Sequence, residues 1–243
     1  MTGASGLTVV VTGAAGSAGA ATCRALDAAG ATVVAVGHSA DRLSKLAEAI
    51  PGIGVEVADL SDAAAVQQLA ERVRGQHGTV DGLVHLVGGY RGGATFGSNS
   101  DEDWRFLSAG LIDTLRHVTL AFHDDLVKST AGRAVIVSAK GAQAPSAGSA
   151  NYSAAKAAAE AWMLALADSL HRGQSGRAEN PVDQTAAATI LVIKALVDDR
   201  MRADAPERTF PGFTDVDDLA TRIVGLWSSS AAELNGARID LTD

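Results

Sequence analysis

Tyr152 and Lys156 stand four residues apart in an alanine-rich stretch, so a helix there sets a phenol and an ammonium on one face. A phenol with an ordinary pKa near ~10 handles protons poorly at neutral pH until a nearby cation favours the phenolate. The pair could move a proton, or it could be a packed ring beside a solvated amine. Nearer the N-terminus, Thr12, Gly13, Ala14, Ala15, Gly16, Ser17, Ala18 and Gly19 follow a short β-branched run. Such glycines permit a tight turn and let backbone amides and a helix N-terminus approach a pyrophosphate. An ordinary strand-to-helix turn is the other reading. His85 and Ser138 fall where strands should end. The first is either a proton relay or a satisfied structural histidine, and the second either meets a substrate oxygen or bonds backbone. No spacing of His, Cys and carboxylates points to a metal site.

These residues need elements to position them. Short β-branched runs at 7–12, 32–37, 54–58, 83–87, 134–138, 188–193 and 238–241 are apolar on both faces, as strands buried in a parallel sheet must be. Between them, segments such as 17–29, 61–76, 101–127 and 151–171 have helical apolar spacing. Alternating strand and helix predicts a Rossmann-like, doubly wound α/β sheet, with 1–243 as a single domain. Segments 88–100, 172–184 and 202–214 interrupt the rhythm and read as loops. The 28 acidic residues against 20 Lys and Arg give a net charge of −8. Without a basic cluster, neither nucleic acid nor an anionic membrane is expected as a partner. Cys23 is the only cysteine, which excludes an internal disulfide and fits a reducing compartment. With no leader pattern and no unbroken apolar span, the expected location is cytoplasmic.

The glycine turn after the first strand, Asp59 and Leu60 after the third, Gly88 after the fourth, and Tyr152, Ser153, Ala154, Ala155, Lys156 opening a long helix occur in one order. In that order they resemble the short-chain dehydrogenase/reductase family. The resemblance implies a nicotinamide cofactor held by Gly13, Gly16, Ser17, Ala18, Gly19, His38, Ser39, Asp59, Leu60, Val87, Gly88 and Gly89, with Tyr152 and Lys156 touching it as well. Asp59 would accept from the adenine amine, or cap the helix that follows it. Tyr152 would donate the proton that accompanies hydride transfer, and Lys156 would hold the ribose and bias the phenol. Gly37, His38 and Ser39 put no carboxylate where the family selects NAD, and Arg42 follows, so NADP(H) is favoured over NAD(H).

Departures narrow the resemblance. The middle glycine sits at Gly16 rather than Ser17, and the string after the fourth strand reads Leu86, Val87, Gly88, Gly89. The family's catalytic Ser slot is Ala139, its Asn slot falls near Leu111, and its Pro-Gly becomes Ile193 and Lys194. Several departures resemble the dihydropteridine reductase branch: Gly88, Gly89, Tyr90, Arg91, Gly92, Gly93, then Ala139 with Lys140, and Met201. A small quinonoid or carbonyl substrate follows, with Ser138 as a substitute donor if the strand end twists. The alternative is a non-catalytic dinucleotide-binding or interaction protein on the same fold. A homodimer or homotetramer is expected through 101–127 and 151–171, with Ala154, Ala155, Ala158 and Ala161 permitting close approach.

Overall fold

Runs of Val, Ile and Ala build the central strands because branched side chains pack well on a pleated surface, and a strand covered on both faces has little room for charge. The computed structural model describes residues 3–176 and 180–242. In chain order the strands are β1 (Thr8–Thr12), β2 (Thr32–Gly37), β3 (Gly54–Val57), β4 (Gly82–His85), β5 (Arg133–Ala139), β6 (Ala187–Ile193), β7 (Leu196–Val197), β8 (Thr214–Asp215) and β9 (Arg238–Asp240). Seven form one parallel sheet in the order β3-β2-β1-β4-β5-β6-β9, while β7 and β8 pair separately. The order reverses between β1 and β4, which opens a crevice at the C-terminal strand ends, where such sheets bind ligands.

The helices are α1 (Ser17–Ala28), α2 (Ala40–Ala49), α3 (Ala63–His77), α4 (Asp101–Ser108), α5 (Thr114–Lys128), α6 (Ala150–Gly173), α7 (Asp199–Asp204), α8 (Val216–Gly225) and α9 (Ala231–Leu234). Alternate strand residues face opposite layers. Val9, Val11, Val33 and Ala35 pack with Leu26 of α1, Leu43 of α2 and Leu219 of α8. Val10, Val34 and Leu83 pack with Leu69 of α3 and Phe122 of α5, and Ile136 and Ile190 with Met163 and Leu170 of α6.

Several expectations need correction. The segment 101–127 is not one regular helix, because a π-helical turn at Ala109–Asp113 separates α4 from α5. The Thr114 hydroxyl donates to the Gly110 carbonyl at 2.8 Å inside that turn. Strand β3 is an edge strand: Val55 and Val57 are exposed, and Glu56 is half-buried against Arg72 at 2.9 Å. It is therefore not apolar on two covered faces. The expected loop 202–214 begins inside α7, and that at 172–184 begins inside α6, while its residues 177–179 lie outside the described residues. Ala155 is fully buried with Leu107 and Leu111, so it cannot belong to an exposed contact stripe, whereas Ala154, Ala158 and Ala161 are exposed.

At the opposite end of the sheet from the crevice, the Arg133 guanidinium is buried with no carboxylate partner among the described residues. It donates to the carbonyls of Leu226, Gly132, Thr185 and Ser229 at 2.8–3.1 Å. No helix among the described residues is long and apolar enough to cross a membrane.

Candidate active site

The glycine turn shows why each glycine is there. Gly13 has φ +73°, and a Cβ on it would come within 2.8 Å of the Leu86 carbonyl. A Cβ on Gly19 would sit 2.3 Å from the Gly13 oxygen, so the start of α1 can lie against the turn only without a side chain there. Gly16 caps α1 with φ −81° and offers no side chain to the helix amides. The first-turn amides of Ser17 and Ala18 thus lack a side-chain cap at the positive end of a helix, over a floor that side chains would fill. This cradle fits a pyrophosphate.

A cleft of about 800 Å³ runs from the turn past Gly37, His38, Asp59, Leu60 and Val87. Ser39 caps α2, accepting from the Arg42 amide at 3.4 Å, and the Arg42 guanidinium folds back to donate to the Ala15 carbonyl. A cation therefore stands between the end of β2 and the glycine turn. Asp59 is not the cap of α3; Asp62 is, accepting from the Ala64 amide at 2.8 Å. Asp59 instead accepts from the hydroxyl and amide of Ser61 at 2.7 and 2.9 Å, and these bonds hold its carboxyl below the usual range.

A second cleft of about 530 Å³ continues toward α6, lined by Gly88, Gly89, Tyr90, Tyr152, Lys156 and Ile193 among others. Lys156 Nζ donates to the Val137 carbonyl at 2.7 Å, which fixes the ammonium against the end of β5. The ring of Tyr152 meets Tyr90 edge-on at 5.0 Å between centroids, and Lys156 Nζ lies 5.9 Å from the Tyr152 ring. Burial, reinforced by Tyr90, pushes the Tyr152 phenol up to about 12. Burial draws the Lys156 ammonium down to about 8, partly opposed by Glu160. The expected bias toward phenolate is thus absent in the protein alone: burial and Tyr90 both raise the phenol.

Both ring nitrogens of His85 are engaged. Thr12 Oγ1 lies 2.7 Å from its Nδ1 and Thr114 Oγ1 lies 3.2 Å from its Nε2, and burial pulls it down to about 3, so it stays neutral. Ser138 also departs from the role of substitute donor. It is buried, and although it lines the cleft its hydroxyl donates to Glu160 Oε1 at 2.5 Å, so its proton is committed to that carboxylate. Ala139 presents a methyl where the family places a hydroxyl, and Leu111 packs over Gly88, where a Cβ would meet it at 3.0 Å. Sequence reasoning missed Glu160 and Arg238, although Glu160 stands four residues beyond Lys156 on the same helix.

A family model for short chain dehydrogenases matches residues 7–174. The chain belongs to the short-chain dehydrogenase family. As a member it is an NAD(P)-dependent oxidoreductase. This short-chain dehydrogenase is 37% identical over 204 residues to an uncharacterised oxidoreductase of Mycobacterium tuberculosis, a match covering 81% of this chain and 75% of that one. It is 32% identical over 209 residues to the 2,3-dihydro-2,3-dihydroxybenzoate dehydrogenase of Escherichia coli, covering 86% of this chain and 79% of the relative. The Bacillus subtilis protein of the same name is 31% identical over 165 residues, 65% of this chain and 61% of its own length. Among solved structures, the NADPH-bound short chain oxidoreductase of Pseudomonas aeruginosa, described as containing an atypical catalytic center, matches with a TM-score of 0.81. At 24% identity over 96% of this chain and 94% of that one, the likeness is one of fold.

Proposed function

We propose that this enzyme reduces a small quinonoid or carbonyl substrate in the manner of the dihydropteridine reductases, favouring NADP(H) over NAD(H). The observation that carries the reading is the substrate end of the cleft. Tyr152 and Lys156 are kept, yet Ala139 offers no second donor and Ser138 gives its proton to Glu160. A ketone whose developing charge collects on one oxygen needs that second donor; a quinonoid ring spreads the charge and depends on it less. Ring substrates also occur among the relatives, two of which are named for 2,3-dihydro-2,3-dihydroxybenzoate.

Gly13, Gly16, Ser17, Ala18 and Gly19 would cradle the pyrophosphate, His38, Ser39 and Arg42 the adenosine ribose with its 2′-phosphate, and Asp59 and Leu60 the adenine. Val87, Gly88 and Gly89 would line the path to the nicotinamide, which when bound supplies the hydride. Tyr152 hands over the proton, which its raised pKa keeps on the phenol at neutral pH. Lys156 would serve the ribose. The protein would work as a homodimer or homotetramer on the exposed faces of α5 and α6, where Leu120 and Leu164 are 58% and 50% exposed beside Ala158 and Ala161. The single, buried Cys23 suits a reducing cytoplasm.

The test compares kcat/KM for a quinonoid pterin or quinone with that for a simple aldehyde, in the native enzyme and in Ala139→Ser. The aldehyde should gain about tenfold and the quinonoid little, because an inserted hydroxyl is not preorganised. Equal effects would remove the delocalisation argument, and no turnover with either substrate in either form would favour the non-catalytic alternative.

A further inference from the structure

Three segments meet behind Lys156. From β5, the Ser138 hydroxyl donates to Glu160 Oε1 at 2.5 Å; from β9, Arg238 Nε donates to Glu160 Oε2 at 3.0 Å, and its Nη2 reaches the Ala139 carbonyl at 3.5 Å. From α6 come Glu160 itself, buried, and Lys156 one turn before it, whose ammonium holds the Val137 carbonyl. Both oxygens of this carboxylate are thus occupied. A buried carboxylate is costly unless paired and bonded, and removing one partner of such a pair leaves the other uncompensated.

We propose that the Glu160–Arg238 pair, its carboxylate buried and joined to Ser138, is the positioning element for Lys156. It places a compensating charge one helical turn behind the ammonium and fixes the strand end that the ammonium grips. Its effect on catalysis rests on the reading of Tyr152 and Lys156 as the proton-handling pair; its effect on Lys156 does not. The charged and titratable groups around the ammonium support the assignment. Tyr152 lies on its own helix, neutral His85 on β4, and Arg238 on β9 behind Glu160, whose carboxylate is the charge that opposes the downward pull of burial on Lys156.

The decisive measurement needs no cofactor. The chain has five lysines, so carbon-13 lysine labelling allows the Lys156 side chain to be titrated by NMR in the unliganded protein, with Lys156→Arg assigning the signal. Glu160→Gln should lower the Lys156 midpoint by about one pH unit. Arg238→Gln, which leaves the carboxylate unopposed, should raise it, and Glu160→Asp, which keeps the charge, should leave it near the native value. A purely structural role predicts no such opposition of sign. Should Glu160→Gln fail to fold, Arg238→Gln and Glu160→Asp still decide. Unmoved midpoints, or shifts of one sign in both charge-removing variants, overturn the proposal. In turnover assays the alkaline limb of kcat/KM should follow the same shifts. If the midpoints move and that limb does not, the positioning of Lys156 stands and the proton-handling reading of the pair falls.

Discussion

Tyr152 is poised as an acid rather than a base. With its phenol near 12 and the Lys156 ammonium near 8, the form suited to reduction, protonated phenol beside charged amine, persists from neutral pH up to about 8. In the reduction direction kcat/KM should be flat below that point and fall above it as Lys156 loses its charge, which a pH–rate profile will show. Tyr152→Phe should cut turnover by roughly 100-fold or more while leaving NADPH affinity, read by fluorescence titration, close to native; Lys156→Ala should damage both. At the other end of the cleft, a Cβ on Gly37 would meet only the Leu43 side chain at 3.6 Å, so Gly37→Asp has room. The added carboxylate should repel a 2′-phosphate and turn the preference toward NADH, and an unchanged ratio of the two dissociation constants would count against the slot as read. Tyr152 and Lys156 were legible from sequence because a four-residue spacing on a helix is local. The fate of Ser138 was not, since it depends on Glu160, 22 residues away, and Glu160 in turn on Arg238, 78 residues away, which only the pairing of β6 with β9 brings close.

Among the elements, the β1–α1 turn discriminates sharply between its glycines. Gly19→Ala drives a methyl into the Gly13 oxygen and backbone of Ala14, whereas Gly16→Ala, at φ −81° with its nearest contact 3.3 Å away, asks only a small adjustment. Overpacking of the first kind should cost about 1–3 kcal/mol in thermal or urea unfolding and abolish NADPH binding, whereas Gly16→Ala should leave the unfolding free energy near native. Strand and helix alternation was readable because β-branched runs and helical apolar spacing are properties of short windows. The π turn at Ala109–Asp113 was not, since Ala, Gly, Leu, Ile and Asp carry no local signal for it and it is tied by the Thr114 bond to Gly110. Edge strand β3 misled in the opposite way. Val55 and Val57 look like core residues in sequence, but at the edge of the sheet they stay 40% and 49% exposed.

At the scale of the whole molecule, the proposed self-association would use the exposed faces of α5 and α6. Leu164→Glu should weaken self-association at least about tenfold, seen as a shift to monomer by light scattering at micromolar concentration, with turnover per chain as a companion reading. A native protein already monomeric under those conditions would dispose of the interface. The expectation of close approach through four alanines shrank to three once Ala155 proved to lie inside, a distinction that depends on which way a long helix is rotated. Chemistry is gathered at one end of the sheet, and at the other the chain is cinched by Arg133. Among the described residues its partners are four carbonyl dipoles from segments far apart in sequence, not a counter-ion, and it is shielded from solvent. Dissolved electrolyte weakens attraction between exposed charges, as in the pairs of Arg24 with Asp217 and Arg172 with Asp168, but has little purchase on a buried cation held by neutral oxygens. The closure of the sheet's far end is accordingly built to be indifferent to ionic strength, and brine that loosens the enzyme's surface should leave that clasp shut.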